Sequence, residues 1–235
     1  LRLTAASEAL PAQLEQAAKE NLSHTAFLER LLATELKATE NRRLAARLRF
    51  ASLPAPWRLE DFDFDAQKGL DRKLLDELST LRFVEEKANA LFIGPPGVGK
   101  TMLAVCLARL AAEAGYRVYY TTAAELAARC QRAALEGRWA TTMRFFATPQ
   151  LLVIDELGYL PLANDAASAL FQVISQRYLK GSIILTTNRS IGPAWGQMFE
   201  DHVVAAAMLD RLLHNSTLIQ IEGESYRMRA HRARV

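Results

Sequence analysis

Short apolar runs alternate with longer amphipathic stretches from Leu59 onward, and the two kinds of run have different periods. Ala90 to Ile93, Arg117 to Thr121, Leu151 to Asp155, Ser182 to Thr187 and Thr217 to Ile221 are rich in Val, Ile, Leu and Tyr, without the strict apolar–polar alternation of a sheet that has one wet face. Such runs read as strands buried on both faces, the condition of a parallel sheet covered by helices on either side. The stretches between them have helical spacing, and Gly115, Gly137 and Gly181 stand where helices are expected to end. The alternation predicts an α/β fold. The region before residue 57 follows another rule. Phe27, Leu28, Leu31, Leu32 and Leu36 form a helical stripe, continued less regularly by Leu44 and Leu48, with Ser23 placed to cap its start. Pro11 and Pro54-Ala55-Pro56 bracket this region, so a short and a long helix are expected between Ala12 and Phe50. The expected division is an N-terminal helical region, 1–56, and an α/β domain, 57–235.

Composition narrows the class. At 235 residues and 50% hydrophobic, the chain is long enough for one sizeable core plus a small appendage. No apolar run reaches the ~18 residues of a membrane span, and Leu1-Arg2-Leu3-Thr4 lacks the charged-then-apolar order of a secretory signal, so no membrane association and a cytoplasmic location are expected. Cys106 and Cys130 have no CxxC or histidine partner spacing and read as reduced thiols, and four scattered histidines do not compose a metal site. A net charge of +3 is only mildly basic, so nucleic-acid binding has to be argued from clusters.

The chemistry sits at the ends of the apolar runs. After Leu91-Phe92-Ile93 comes Gly94-Pro95-Pro96-Gly97-Val98-Gly99-Lys100-Thr101, which fits G-x-x-x-x-G-K-[ST], and a helix-forming stretch follows from Met102 to Ala114. This is a phosphate-binding loop in a strand-to-helix setting, with Gly94 through Met102 as candidate nucleotide contacts. Its glycines let successive N–H groups converge on phosphates, Lys100 brings a mobile positive charge to the β- and γ-oxygens, and the Thr101 hydroxyl is a ligand for Mg²⁺. A Gly/Pro-rich turn accounts for Gly94 and Pro95 but not for a Lys-Thr pair at a helix start, so the chain is expected to bind a nucleoside triphosphate with Mg²⁺. Leu151-Leu152-Val153-Ile154-Asp155-Glu156 is an apolar strand ending in two carboxylates. At the carboxyl end of a parallel sheet, Asp155 is placed to hold Mg²⁺ through water, and Glu156 to orient and polarise an attacking water. Consecutive acids favour hydrolysis over phosphorylation of a small substrate. Ile183 to Thr187 ends in Asn188, whose neutral amide can bridge the γ-phosphate and the lytic water; the alternative is that Asn188-Arg189-Ser190 is only a turn.

With these three strand ends, the chain resembles the AAA+ ATPases of the initiator and helicase-loader clade. Within it, the chain is similar to the IstB family, ATP-dependent helpers of insertion-sequence transposition. The resemblance runs from Leu59-Glu60-Asp61-Phe62-Asp63-Phe64 to Ile221-Glu222-Gly223-Glu224-Ser225-Tyr226-Arg227. It rests on Asp155-Glu156-Leu157-Gly158-Tyr159-Leu160-Pro161, Thr187-Asn188-Arg189, Trp195-Gly196 with Phe199, and Leu209-Asp210-Arg211-Leu212-Leu213-His214. It implies a parallel five-stranded sheet of order 5-1-4-3-2 with helices on both faces, without the C-terminal helical lid of typical AAA+ proteins. It further implies an ATPase stimulated by assembly and by DNA, with duplex DNA, a cognate transposase and further copies of the chain as partners. Arg211 is implied as an arginine finger, a cation offered to the γ-phosphate bound by a neighbouring subunit; the alternative is a surface arginine on the helix Val203 to His214. Without a lid the nucleotide is expected to be more exposed, with Arg227 either a substitute contact or, the favoured reading, a surface charge. Phe62 and Phe64 lie where relatives carry a base-contacting segment, though two alternating aromatics also read as core.

Members of that clade insert a helical element after the second strand, here Thr122 to Thr148, which carries Arg129, Arg132, Arg138 and Arg144 with Trp139, Phe145 and Phe146 interleaved. Arginines along such a helix neutralise backbone phosphates without reading bases, and the aromatics read as packing. Arg42, Arg43, Arg47 and Arg49 form the densest cationic cluster outside the tail, a candidate second phosphate clamp; with Glu35, Lys37 and Glu40 nearby, the other reading is a solvated mixed-charge face. The tail adds Arg227, Arg229, Arg232 and Arg234. Three functions compete with a transposition helper: a helicase loader of the same clade, a small-molecule P-loop kinase and a scaffold without turnover.

Overall fold

Parallel strands need a crossover after each one, and this chain supplies helices for that purpose. The structure, a computed structural model, describes residues 3–158, 164–190, 195 and 202–226. The strands are β1 (Asn89–Ile93), β2 (Val118–Thr122), β3 (Leu151–Leu157), β4 (Ser182–Thr187) and β5 (Ser216–Gln220). Helix α5 (Lys100–Glu113) links β1 to β2, α6 (Ala123–Leu135) and α7 (Trp139–Ala147) link β2 to β3, α8 (Asn164–Arg177) precedes β4, and α9 (His202–Leu213) precedes β5. Two short helices, α3 (Arg72–Ser79) and α4 (Arg82–Glu85), lead into β1. All strand pairs are parallel and the order is β2-β3-β4-β1-β5, the expected 5-1-4-3-2 read from the other edge. Because successive side chains on a strand face opposite ways, the core is double. Ala90, Phe92, Val153 and Ile184 pack on the α5 side, whereas Leu91, Leu152, Ile154, Ile183 and Leu185 pack with residues of α6, α7, α8 and α9. The second helix between β2 and β3 is the insertion expected there. Among the described residues no helix is long and apolar enough to cross a membrane, and no helical lid follows β5.

Two buried polar side chains fasten the amino ends of the strands. Asn89 donates from Nδ2 to the Leu212 carbonyl at 3.0 Å and accepts the Ile183 N–H at 3.0 Å. Arg177 is only 1% exposed and donates to the carbonyls of Phe146, Pro149, Gln150 and Ser182 at 2.8 to 3.2 Å. Burial lowers its guanidinium to about 10, which leaves it charged at neutral pH. This network corrects the reading of Gly181 as a helix stop. The left-handed residue after α8 is Leu179 (φ 58), while a Cβ on Gly181 would lie 2.7 Å from Arg177 Nη2, so Gly181 is needed for close approach. Gly115 (φ 107) and Gly137 (φ 68) do follow α5 and α6 in the left-handed region.

The chain divides into two compact units, Leu1–Arg47 and Leu48–Val235. In the first, α1 (Thr4–Glu20) and most of α2 (His24–Ala51) run side by side. Contrary to the expected boundary at Pro11, α1 runs through it. Proline there removes one interior hydrogen bond, a cost of ~3 kcal/mol that the rest of the helix absorbs. The Ala6 N–H, a first-turn donor that its own helix cannot satisfy, is met by Glu35 Oε2 at 2.9 Å. Glu35 also accepts from Arg42 at 2.8 Å, and these two donors, Ala6 first, hold its carboxyl below the usual carboxylate range. The predicted stripe on α2 is split: Phe27 and Leu31 are half-buried beside Glu35, whereas Leu28, Leu32 and Leu36 are exposed. Ser23 accepts the Ala26 N–H at 3.2 Å, as its capping position predicts. The last turn of α2 belongs to the second unit, where Phe50 packs with Tyr119 and Phe145 beneath the Arg117 guanidinium.

Candidate nucleotide site

The phosphate loop leaves the carboxyl end of β1 and enters α5, so the unsatisfied first-turn N–H groups of α5 point into it. Gly97 (φ 81) and Gly99 (φ 98) take left-handed conformations, which side chains disfavour, and a Cβ on Gly99 would lie 2.5 Å from the Phe62 ring. Val98 is fully buried and anchors the loop to the core. Lys100 is 4% exposed, and its Nζ donates to the Gly94 and Pro95 carbonyls at 2.8 Å each. The loop is thus wrapped around an ammonium that, among the described residues, has no carboxylate in direct contact. Burial lowers the Lys100 pKa, and the Asp155 charge acts in the opposite direction.

Asp155 is the hub of the site and is 1% exposed. Its Oδ1 accepts from Thr101 Oγ1 at 3.1 Å and from the Thr186 hydroxyl, and its Oδ2 accepts from Tyr120 at 2.7 Å. Burial, and after it the hydrogen bond to Asp155, push the Tyr120 phenol above its ordinary range, so Tyr120 stays a donor. A regular strand would turn Asp155 and Glu156 to opposite faces. The sheet instead carries a bulge: Ile154 pairs with Leu185 but Leu157 pairs with Thr187, giving β3 one residue more than β4. Glu156 absorbs it with φ 61, gives its N–H to Thr186 Oγ1 at 3.0 Å, and lines the cavity beside the loop. Asn188 directly follows β4, whose end pairs with the start of the loop through Gly94 N–H to Thr187 O at 3.2 Å. Its Oδ1 is buried and without a hydrogen-bond partner.

The cavity holds about 360 Å³, within the range of small-ligand sites, and Gly97 through Met102 form one wall. The rest of the lining comprises Trp57, Asp61, Phe62, Asp63 and Gln67 from the segment before α3, with Tyr226 from beyond β5; of these only Phe62 was singled out in the sequence, through the family resemblance. Phe62 is 7% exposed and belongs to both core and cavity wall, whereas Phe64 packs edge-on against Phe62 at 5.0 Å under Arg72. Tyr120 and Thr186 were likewise missed, because a tyrosine or threonine in a buried run reads simply as a strand former. The residues fit Mg²⁺ in the manner of phosphate sites, with the Thr101 hydroxyl beside a carboxylate and most remaining ligands left to phosphate and water. Among the described residues there is no cluster of His, Cys, Asp and Glu that could hold a metal without such help.

Arg211 is not in this cavity. It shares a small cleft with Asn89 and Ile183, at the amino ends of β1 and β4, donates to the Ala207 carbonyl at 2.8 Å, and lies over Phe171. The length of β1 therefore separates Arg211 from its own phosphate loop, on the order of 15 Å at the rise of a strand. None of the other candidate cations is among the residues that line the cavity. Arg129 and Arg132 are on the exposed face of α6, but the Arg129 guanidinium sits 3.8 Å from the Phe145 ring centre and donates to the Tyr119 hydroxyl at 3.3 Å. Arg138 pairs with Glu136, and Arg144 is exposed on α7. Trp139 and Phe145 are half-buried and Phe146 is buried, as packing requires. On α2, Arg43 and Arg49 are exposed, Arg47 is half-buried, and Arg42 is engaged by Glu35. Tyr159, Leu160, Pro161, Gly196, Phe199 and the tail arginines from Arg227 onward lie outside the described residues.

Known proteins resemble this chain in sequence and in fold. The family model of IstB-like ATP binding proteins matches residues 1–234. A protein of insertion sequence IS5376 from Geobacillus stearothermophilus, named for ATP binding, is 43% identical over 232 residues, covering 99% of this chain and 92% of the relative. Its counterpart from insertion sequence IS21 of Pseudomonas aeruginosa is 45% identical over 219 residues, covering 93% of this chain and 82% of the relative. Among solved structures, AMPPCP-bound DnaA from Aquifex aeolicus superposes with a TM-score of 0.58 at 22% identity, over 78% of this chain and 56% of that one, a likeness of fold. With a phosphate loop closing on a lysine, two strand-end acids beside it and a whole-length match of sequence, this chain belongs to the family of IstB-like ATP-binding proteins, built on the AAA+ fold.

Proposed function

We propose that this protein is an ATPase that assembles on duplex DNA and prepares it for a partner transposase. The observation that carries the reading is the division of the catalytic groups between the two ends of the sheet. Lys100, Thr101, Asp155, Glu156 and Asn188 gather at the carboxyl ends, while Arg211 stands at the amino ends. For Arg211 to serve a γ-phosphate in the loop, a second subunit would have to bring it there, so hydrolysis would depend on assembly.

In this reading Lys100 exchanges its two carbonyl partners for β- and γ-phosphate oxygens, and the first-turn N–H groups of α5 hold the rest. Thr101 and, through water, Asp155 would hold Mg²⁺, which neutralises charge on the phosphates. Tyr120 and Thr186 keep Asp155 in place by filling its other lone pairs. Glu156 and the free Asn188 Oδ1 orient a water in line with the γ-phosphorus. The water oxygen bonds to phosphorus as the bond to the β–γ bridging oxygen breaks, the water proton passes to Glu156 or phosphate, and ADP and phosphate leave. The region 1–56 and the α6–α7 insertion would bind DNA or the partner through Arg42, Arg43, Arg47, Arg49, Arg129, Arg132, Arg138 and Arg144, touching phosphates without reading bases. That relatives are named for insertion sequences favours transposition over helicase loading.

The test is Glu156→Gln, which keeps the shape but cannot polarise water. ATP binding should persist, phosphate release should fall by two orders of magnitude or more, and assemblies on duplex DNA should outlast those of the parent. Normal phosphate release by that variant would refute the catalytic role, and turnover stimulated by a metabolite rather than by DNA would point to a kinase.

A further inference from the structure

Between the pairs Ile154–Leu185 and Leu157–Thr187, strand β3 supplies Asp155 and Glu156 where β4 supplies only Thr186. One threonine therefore stands opposite both acids, and its hydroxyl engages both. Thr186 Oγ1 accepts the Glu156 N–H at 3.0 Å, and its own hydrogen goes to Asp155 Oδ1. The hydroxyls of Thr101 and Tyr120 also donate to Asp155, but among the described residues only Thr186 joins the two acids. Thr186 is 1% exposed, in a position where valine would serve a buried strand equally well, so the strand itself does not require a hydroxyl there.

The conformation that this hydroxyl holds is one the chain does not adopt by default. Glu156 has φ 61, a region that side chains disfavour and that persists where neighbours fix it. It is exposed and lines the cavity, while every other residue of β3 is buried. In a regular strand Glu156 would share the face of Leu152 and Ile154, which pack in the apolar layer with α6 and α8, and would turn away from the phosphate loop. The bond from Glu156 N–H to Thr186 therefore opposes a slip of the strand that would take the carboxylate out of the site. Because the accepting hydroxyl itself donates to a buried carboxylate, the two bonds polarise one another and strengthen together.

We propose that Thr186 is a positioning residue for hydrolysis, whose hydroxyl locks the β3 bulge so that Glu156 faces the nucleotide cavity in fixed relation to Asp155. Thr186 acts through Glu156 and is not itself a catalytic residue. Its loss leaves the phosphate loop and Lys100 as they are, so nucleotide binding persists while the acid that polarises water is misplaced, and a misplacement of about 1 Å at a catalytic group costs up to about a hundredfold in rate. This rests on the reading of Asp155 and Glu156 as the acids of an ATPase.

Thr186→Val keeps the shape without the hydroxyl, Thr186→Ala removes the hydroxyl without setting a methyl against Asp155, and Thr186→Ser keeps the hydroxyl. In the nucleotide-free full chain, hydrogen exchange at the Glu156 amide should be at least about tenfold faster in the first two and close to the parent in the third. Phosphate release at saturating ATP should fall roughly ten- to a hundredfold in Thr186→Val and Thr186→Ala with KM for ATP within about threefold, and Thr186→Ser should recover most of the rate. The decisive measurement is single-turnover phosphate release in the Glu156→Gln background. There Thr186→Val should cost less than about threefold more, because the group it positions has already gone, whereas Tyr120→Phe, which reaches Asp155 alone, should cost the same factor in either background. Parent-like exchange at Glu156, an unchanged kcat, or a loss in the Glu156→Gln background as large as in the parent would overturn the inference while leaving both acids in their roles. A parent chain that released no phosphate would remove the ATPase reading itself.

Discussion

Gly97→Ala is the sharpest probe of how the loop is held, because another glycine supplies its control. Gly97 and Gly115 both have positive φ, 81 and 107, so alanine at either position meets backbone strain of ~1–2 kcal/mol, offset in part by the lower entropy of the unfolded chain. At Gly115 nothing lies within 4 Å of the new Cβ, and strain is the whole effect. At Gly97 the Cβ falls 2.1 Å from Ser225 Oγ, 2.8 Å from Ser225 Cβ and 3.2 Å from Ser225 Cα. Rotating the serine hydroxyl relieves only the first of these contacts, so the segment beyond β5, residues 221–226, has to move, and the bond from Tyr226 N–H to Gly97 O, 2.9 Å long, is lost at a further ~0.5–1.5 kcal/mol. Gly97→Ala should then cost ~1.5–2.5 kcal/mol in all, against ~1 kcal/mol for Gly115→Ala. For a unit of this size each kcal/mol moves the melting temperature by about 2–4 °C, so the two variants should differ by a few degrees in thermal unfolding without nucleotide. Gly97→Ala with Ser225→Gly should recover part of the gap, since it removes the Cβ and Oγ contacts but leaves the Cα. Equal melting temperatures for Gly97→Ala and Gly115→Ala would show that the segment does not rest on the loop.

Three further expectations test the rest of the site. Arg211→Ala should bind ATP normally and lose assembly-dependent hydrolysis, and mixing it with Glu156→Gln should restore some activity, because certain interfaces then contain an intact Arg211 and an intact Glu156. No recovery at any ratio would place Arg211 within its own subunit or outside catalysis. Tyr120→Phe removes a bond to a charged acceptor and should lower stability by ~1.5–3 kcal/mol; since burial and Asp155 raise the phenol's pKa, that contribution should stay constant from neutral pH up to about 10, and a loss that varied across neutral pH would refute the assignment. Reversing Arg129, Arg132 and Arg138 to Glu should weaken binding to unrelated duplexes alike and flatten its salt dependence by roughly one unit of slope per lost phosphate contact. Of the three, the exposed Arg132 should account for the clearest single step, since Arg129 is also held by Phe145 and Arg138 by Glu136. An unchanged slope would remove the insertion from the DNA-binding surface.

The sequence by itself determined the parts of this protein that are local in the chain. Five apolar runs became five strands to within a residue or two at each end, because a buried parallel strand has to be apolar throughout. The loop from Gly94 to Thr101 was recognisable because phosphate chemistry demands particular residue types at fixed spacing within a single turn. Local rules failed where distant backbone took over: Pro11 lies inside a helix, and Gly181 serves the Arg177 guanidinium rather than a helix end. Tertiary structure alone decided how Tyr120, Asp155 and Thr186 meet, since three strands contribute to that cluster and no spacing in the chain encodes their register. It alone set the bulge that turns Glu156 into the cavity, and it alone brought Tyr226 back over Gly97. A cavity wall is assembled from residues far apart in sequence, and hydrophobic periodicity records which side of an element is buried but not what lies on the other side of the contact.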